Sequence, residues 1–214
     1  MTSGGAGDAT RALDHLVYRV PDLDEGIRVL EALLGVRPAG GGVHPGRGTR
    51  NALLSLGGAH YLEVLAPDPA QPDTPSAWRF GPPVSAPELT TWAARSPLIE
   101  TQAELARTRG LDLGAVRPMS RERPDGSVLR WQLTTGERPG DGLVPFLIDW
   151  GHSEHPSTSA PAGCRLVALR ARHADPERIA RWLAALDLSM PIERGERPAL
   201  IAELETPRGR VVLE

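Results

Sequence analysis

Several polar side chains of this sequence lie within apolar stretches, where their chemistry requires a partner. His15 lies in the apolar residues 12–20, and Glu63 lies in the apolar residues 60–65. A buried carboxylate needs a hydrogen-bond, ion-pair or metal partner, because its desolvation is otherwise costly. The alternative for His15 is a satisfied polar residue at the start of a strand. Imidazole and carboxylate can bind a divalent metal or transfer a proton, so both residues are candidates for one site.

Asp149 and His44 extend this set of candidates. Asp149 lies near the end of an apolar stretch, where a turn or capping role is also common. His44 lies in the Gly-rich residues 38–48. Its polar neighbours are Arg47, Thr49 and Asn51. Such a cluster can bind an anionic or carbonyl substrate, whereas the alternative is an exposed loop histidine.

Arg130 lies in a predicted strand in which polar and apolar residues alternate. The apolar face carries Leu129, Trp131 and Leu133. If that face meets a helix, Arg130 faces the cavity and can bind a carboxylate or phosphate through its planar guanidinium. A solvated strand face is the alternative.

The other histidine, tryptophan and cysteine positions carry weaker signals. His152 and His155 form a short pair in a segment without helical periodicity, which is a weak chelation motif. Trp92, Trp131 and Trp150 are predicted to belong to the core, because aromatic side chains usually dominate cores. Cys164 is the single cysteine, which excludes an internal disulfide, and it is predicted to be a small buried residue.

The elements that must position these residues recur in one order, namely a strand, a helix and further strands. The first pass predicts strands over 12–20, 51–56 and 60–65 and a helix from Leu23 or Asp24 to Gly35. The second pass predicts strands over 89–95, 113–119, 128–134 and 143–150 and a helix over 99–109. The third pass predicts strands over 165–171, 191–194, 199–204 and 210–213 and a helix that begins at Asp175-Pro176.

This repetition predicts an α+β protein made of three βαβββ-like units. The predicted units are 12–66, 89–151 and 164–214. Residues 67–88 are rich in proline and predict a linker, in which Trp78 and Phe80 can pack on a core or cap a pocket.

Composition narrows the range of functions. The chain has 214 residues, with 24 basic and 27 acidic side chains and a net charge of −3. This balance argues against nucleic acid as the main partner, because phosphate binding needs a basic surface. No apolar run reaches the roughly 18 to 20 residues that span a bilayer, and the first residues lack a signal-peptide core. We therefore expect a cytoplasmic protein whose main partner is neither nucleic acid nor membrane.

The motifs of the first two units resemble the glyoxalase-like domain proteins of the vicinal oxygen chelate superfamily. The residues that carry the resemblance include Leu13-Asp14-His15-Leu16-Val17, Tyr61-Leu62-Glu63-Val64-Leu65, Arg123-Pro124-Asp125-Gly126 and residues 145–151. The resemblance implies that two βαβββ modules form a curved, partly open β-barrel around a cavity. The third βαβββ-like unit is unexpected for such a barrel, and it can pair with its counterpart in a homodimer.

The resemblance also implies a divalent metal in the cavity. His15 matches the first-strand ligand, Glu63 the last-strand ligand, and Asp149 the corresponding ligand of the second module. The fourth position falls near residues 90–92, where no side chain is a good ligand. This departure leaves open a three-ligand site, recruitment of another histidine, or loss of the metal. Such ligands suit Fe, Mn, Ni, Co or Zn and leave coordination positions for substrate oxygens.

Two main hypotheses follow from the resemblance. The first is a metal-dependent lyase, isomerase or dioxygenase that acts on a compound with adjacent oxygens, with His44 or Arg130 orienting the substrate or moving a proton. The second is a metal-free protein that binds or sequesters a small molecule. In that case we expect an apolar, aromatic-lined pocket and a His15 that hydrogen-bonds to protein groups. A degenerate structural domain within an assembly is a third alternative.

Overall fold

The computed structural model of the protein describes residues 7–72, 84–122 and 126–214. Much of the predicted linker, including Trp78 and Phe80, lies outside the described residues. The first three residues of the Arg123-Pro124-Asp125-Gly126 motif also lie outside them. Within the described part of the chain, none of the helices combines the length and the apolar character needed to cross a membrane.

The described residues form strands and short helices in the predicted order. The strands are β1 (Gly7–Asp8), β2 (Leu13–Arg19), β3 (Ala39–His44), β4 (Thr49–Ser55), β5 (Tyr61–Pro67), β6 (Glu88–Arg95), β7 (Val116–Glu122), β8 (Val128–Thr134), β9 (Phe146–Asp149), β10 (Arg165–His173), β11 (Leu188–Ser189), β12 (Ile192–Arg194), β13 (Ala199–Thr206) and β14 (Gly209–Leu213). The helices are α1 (Ala9–Ala12), α2 (Leu23–Leu34), α3 (Ile99–Thr108) and α4 (Pro176–Ala185). Short 3-10 turns cover Pro139–Gly142 and Pro156–Thr158.

Eight of these strands form a closed barrel. Their order around the ring is β2, β5, β4, β3, β7, β8, β9 and β6. Within each module the first strand lies parallel to the last, β2 beside β5 and β6 beside β9. The predicted α+β barrel is thereby confirmed, and its ring of strands is closed where a partly open one was expected. Among the described residues, β3 and β7 are connected by the pair Val43 and Glu122, directly before residues 123–125.

Helix α2 illustrates how local sequence sets up the first module. The Asp22 carboxylate accepts a hydrogen bond from the Glu25 backbone N–H and so caps the helix N-terminus. Gly35 ends the helix in the left-handed region at φ 78°, which glycine adopts without strain. The buried face of the helix, with Ile27 and Leu30 among its residues, packs on the outer face of the barrel sheet. The inner faces of β2 and β5 are thereby directed into the barrel.

The third unit has the predicted element order but a different sheet. Its strands are ordered β12, β10, β13 and β14, and β10 lies antiparallel to β13. In both barrel modules the first strand has instead a parallel neighbour from the end of its module. The last residue joins this sheet to the barrel, because the Glu214 carbonyl accepts a hydrogen bond from the Leu89 N–H. The predicted domain boundaries and the homodimer stay predictions.

Candidate functional site

The barrel interior holds a small cavity of about 60 Å³. Its polar lining comes mainly from β2 to β5 and from β7, and its apolar lining mainly from β8 and β9. The polar side chains are His15, His44, Arg47, Thr49, Asn51, Glu63 and Arg121. The aromatic and aliphatic side chains are Tyr61, Met119, Trp131, Leu133, Phe146, Ile148, Trp150 and Pro156. The predicted residues His15, His44 and Glu63 therefore meet in one place.

His15 is oriented by the residue that precedes it. Adjacent residues of a regular strand point to opposite faces, but the pairing of β2 with β6 is irregular between Leu13 and His15. The Asp14 Oδ1 atom consequently lies 2.8 Å from the His15 Nδ1 atom. The His15 ring stacks on Tyr61 with a centroid distance of 4.7 Å. Its other nitrogen, Nε2, lies 3.7 Å from Glu63 Oε2 inside the cavity.

Asp14 is a fully buried carboxylate at the centre of four donors. Besides His15, it contacts His155 Nε2 at 3.0 Å, Arg95 Nε at 3.2 Å and Trp150 Nε1 at 3.2 Å. Burial alone would raise the pKa of Asp14, but hydrogen bonds from His15 and His155, and their charges, lower it well below its ordinary value. An ionised carboxylate can only accept, so the hydrogen of the shared bond belongs to His15 Nδ1. In the neutral form of the ring, the His15 Nε2 atom is then the accepting nitrogen.

Asn51 connects Glu63 to a buried arginine. Its Oδ1 atom accepts hydrogen bonds from the Gly42 N–H and from Arg121 Nη1, both at 3.0 Å. The amide NH₂ group must therefore face the other way, and it donates to Glu63 Oε1 at 2.6 Å. Gly42 permits this arrangement, because a Cβ atom there would lie 2.6 Å from the Glu122 carbonyl and 3.3 Å from the Arg121 side chain.

His44 completes the polar half of the cavity as a neutral ring. Its Nδ1 atom lies 2.9 Å from the Thr49 hydroxyl, and its Nε2 atom lies 3.4 Å from Asn51 Nδ2. Burial lowers the pKa of His44, the positive charges of Arg121 and Arg47 lower it further, and Glu63 opposes them. His44 was predicted within a Gly-rich segment, and it forms the last residue of β3.

Arg130 and Asp149 lie outside this cavity. Both line a wider outer groove of about 750 Å³. Trp131 and Leu133 point into the barrel, so Arg130, which directly precedes Trp131, belongs to the opposite face of β8. The prediction for Arg130 assumed that the strand face with Trp131 meets a helix. That face instead lines the cavity, and Arg130 lies on the other face. Asp149 accepts a hydrogen bond from the Gly151 N–H at 2.9 Å, which is the turn role noted as its alternative.

Strand register explains the position of Asp149. His15 is paired with Tyr61 on one side and with Ala93 on the other, and Ala93 is paired with Phe146. Glu63 lies two residues beyond Tyr61, so the matching position in β9 is Ile148. The sequence comparison that matched Glu63 to Asp149 is wrong by one residue. A slip of one residue moves a strand side chain to the other face of the sheet.

The residues present do not fit the predicted three-ligand metal centre. His15 and Glu63 face each other, but Asp149 is not brought to them. The described residues contain no group of three or more His, Cys, Asp or Glu side chains placed to hold a metal. Glu63 Oε1 is already engaged by the Asn51 amide.

Several residues of the site were missed or misjudged from the sequence. Asp14 was overlooked, although an acid beside a histidine in an apolar strand was a signal that could have identified it. His155 was considered only as a weak chelator, and it contacts Asp14. Trp131 and Trp150 line the cavity, whereas Trp92 is a core residue as predicted and donates to the Leu143 carbonyl at 2.9 Å.

Comparisons with known proteins agree with this architecture. The sequence model of a glyoxalase-like domain matches residues 13–186. Among curated proteins, no relative matches the chain. A hypothetical protein from Staphylococcus aureus is similar in structure, with 15% identity, a TM-score of 0.62 and coverage of 94% of this chain and 83% of that one. This likeness concerns the fold.

Two further solved structures are less similar. Methylmalonyl-CoA epimerase from Mycobacterium tuberculosis is 22% identical, with a TM-score of 0.42 and coverage of 68% of this chain and 92% of that one. The hypothetical protein BH1468 from Bacillus halodurans is 15% identical, with a TM-score of 0.44 and coverage of 66% and 96%. Similarity at this level has no bearing on the reaction.

Proposed function

Since this chain belongs to the glyoxalase-like domain family, we propose that it is a small-molecule enzyme that transfers a proton on a substrate held in the barrel cavity. The reaction is of the isomerase or lyase type. The observation that carries this proposal is the pair Asp14 and His15, whose Nε2 atom faces the cavity opposite Glu63. A dioxygenase would need a redox-active metal centre, which the available donors do not fit.

The proposed chemistry uses four side chains. His15 Nε2 takes a proton from a substrate carbon next to a carbonyl, while Asp14 holds the ring and stabilises its charged form. Tyr61 keeps its hydrogen, because burial and the nearby carboxylates raise its pKa well above the ordinary value. Its phenol can therefore donate to the developing enolate oxygen. Glu63 Oε2 lies 3.7 Å from His15 Nε2 and can relay the proton that His15 has taken.

Hydrogen exchange tests this reaction class without knowledge of the final product. The protein is incubated in D₂O with small compounds that have a C–H bond next to a carbonyl, and deuterium uptake is measured by mass spectrometry. We expect His15→Gln and Glu63→Gln to slow exchange by roughly 10² to 10⁴. The control is His60→Gln, since His60 lies outside the cavity lining and contacts the Leu13 carbonyl. No uptake with the wild type, or equal uptake with His15→Gln, would contradict the proposal.

Elemental analysis tests the metal question separately. A divalent ion would take His15 and Glu63 as its protein ligands and would polarise a substrate carbonyl. Untagged protein prepared without added metal should contain no stoichiometric Fe, Mn, Ni, Co or Zn. One equivalent that disappears in both His15→Ala and Glu63→Ala would replace the proposal with a metal-dependent reaction.

A metal-free binding protein is the second candidate. The second module supplies an aromatic and aliphatic wall, with Phe146, Ile148 and Trp131, and His15 hydrogen-bonds to a protein group. Both features were expected of a sequestering protein. Tight binding of a compound that has an exchangeable C–H bond, without deuterium uptake, would favour this function over the enzyme.

A further inference from the structure

The charged groups of the cavity favour a negatively charged ligand. Two guanidinium groups, Arg47 and Arg121, line it together with one carboxylate, Glu63. Arg121 is only 4% exposed, and its Nη1 atom is held by Asn51. The lowered pKa of His44 keeps that ring uncharged at neutral pH. Among the charged side chains of the described lining, two are positive and one is negative, and this balance favours a carboxylate group on the ligand.

The opposite wall favours a planar apolar group. Trp131 and Trp150 lie with their ring centroids 5.1 Å apart. Both line the inner cavity of about 60 Å³ and also the outer groove of about 750 Å³. Arg47 and Met119 are shared in the same way. These four residues border both spaces. The inner cavity can hold a head group, and the rest of a larger substrate would extend past these four residues into the groove.

We propose that the substrate is an organic carboxylate with an aromatic or otherwise planar apolar body. The carboxylate lies beside Arg121, and the body lies against Trp131 and Trp150. This inference rests on the proposed function only in taking the barrel cavity as the substrate site. It places the carbon next to the carboxylate within the polar half, on the side of His15 and Glu63.

Calorimetric titration with a matched series tests this class of substrate. The probes are phenylacetate, phenylacetamide, 2-phenylethylamine and acetate, which separate the contribution of the charge from that of the ring. We expect phenylacetate to bind roughly ten- to a hundredfold more tightly than the amide, because a hydrogen bond to a charged group contributes about 1.5 to 3 kcal/mol. Acetate should bind more weakly than phenylacetate, and the amine should not bind.

Arginine variants test which side chain causes the preference for a carboxylate. Arg121→Met should abolish the preference for the carboxylate, and Arg121→Lys should retain part of it. The control is Arg181→Met, an exposed arginine of α4 outside the cavity lining. Thermal unfolding establishes that each variant is folded. If Arg121→Met does not fold, Arg121→Lys and the wild-type probe series decide the question.

Three results would overturn the inference: equal binding of phenylacetate and its amide, no binding of phenylacetate, or an unchanged preference in a folded Arg121→Met. The proposed function fails in a different way. Carboxylate-selective binding without deuterium uptake on any bound compound would support the proposed ligand class and contradict the proposed reaction. Deuterium uptake on neutral ketones without a preference for carboxylates would support the reaction and contradict the ligand class.

Discussion

The central strands of the two modules present opposite chemistry to one cavity. In the first module, β2 and β5 contribute His15 and Glu63. In the second, the positions that match His15 and Glu63 are Ala93 and Ile148, and Phe146 matches Tyr61. The backbone pairing is repeated in the two modules, but the side chains at the matching positions differ. The central strands of the first module thus present polar groups, and those of the second present an apolar wall.

The largest expected effect comes from removing the charge that supports the polar half. Asp14→Asn should lower the free energy of unfolding by roughly 3 kcal/mol, near the low end for breaking a buried ion pair. We expect the smaller loss because the histidine partners of Asp14 can become neutral and because the Arg95 side chain is 38% exposed. Urea denaturation measures the loss. Asp24→Asn is the control, because Asp24 pairs with Arg50 at the surface and contributes little. Equal losses in both variants would show that Asp14 has no special role.

The asymmetry can also be removed by design. The double variant Ala93→His and Ile148→Glu repeats the His15 and Glu63 pair in the second module. We expect the double variant, but not the wild type, to bind one equivalent of Zn²⁺, Ni²⁺ or Mn²⁺. A metal at a hundred times its Kd stabilises the fold by about 2.7 kcal/mol, so thermal unfolding should shift upwards with metal. A folded double variant with no shift would mean that the two halves are not geometrically equivalent.

A smaller effect is expected where the apolar wall meets the polar half. Trp150→Phe keeps a ring but removes the N–H that contacts Asp14. The expected loss of stability is about 1.5 to 3 kcal/mol, the contribution of a hydrogen bond to a charged group. Urea denaturation at neutral pH is the measurement. In the Asp14→Asn background, Trp150→Phe should lower the free energy of unfolding by less than in the wild type. An equal loss in both backgrounds would show that Trp150 and Asp14 do not interact energetically.

The smallest effect concerns pH. Burial lowers the pKa of His44 in the folded protein below its ordinary value of 6.5. The unfolded chain therefore takes up a proton first, and the stability that His44 contributes is present above pH 6.5 and declines as pH falls towards the folded pKa. His44→Gln should flatten the dependence of stability between about pH 7 and pH 5. An unchanged slope would indicate that His44 is well solvated.

The fold was largely predictable from local signals. Asp22 and Gly35 bound α2 as expected, and Asp175 with Pro176 begins α4. Such signals act within a few residues, so a single sequence contains them. The sheet order of the third unit was not predictable in this way, because element order does not determine which strands pair.

The site was predictable only in its first half. His15 and Glu63 were identified because each lies within an apolar strand. Asp149 was assigned to the wrong face, because register depends on pairing between strands and not on either strand alone. Asp14 was missed because side chains of adjacent residues in a regular strand point to opposite faces, which would place Asp14 away from His15. The irregular pairing of β2 with β6 allows the two side chains to meet.

The closed ring of strands also has a consequence for concentrated solutions. A ring of strands has no unpaired edge, and edges are what recruit strands from other molecules. Among the described residues, the pair Val43 and Glu122 connects β3 to β7, directly before residues 123–125, which the structure does not describe. We expect loosening of this pair to expose edges of the barrel sheet and so to favour edge-to-edge aggregation.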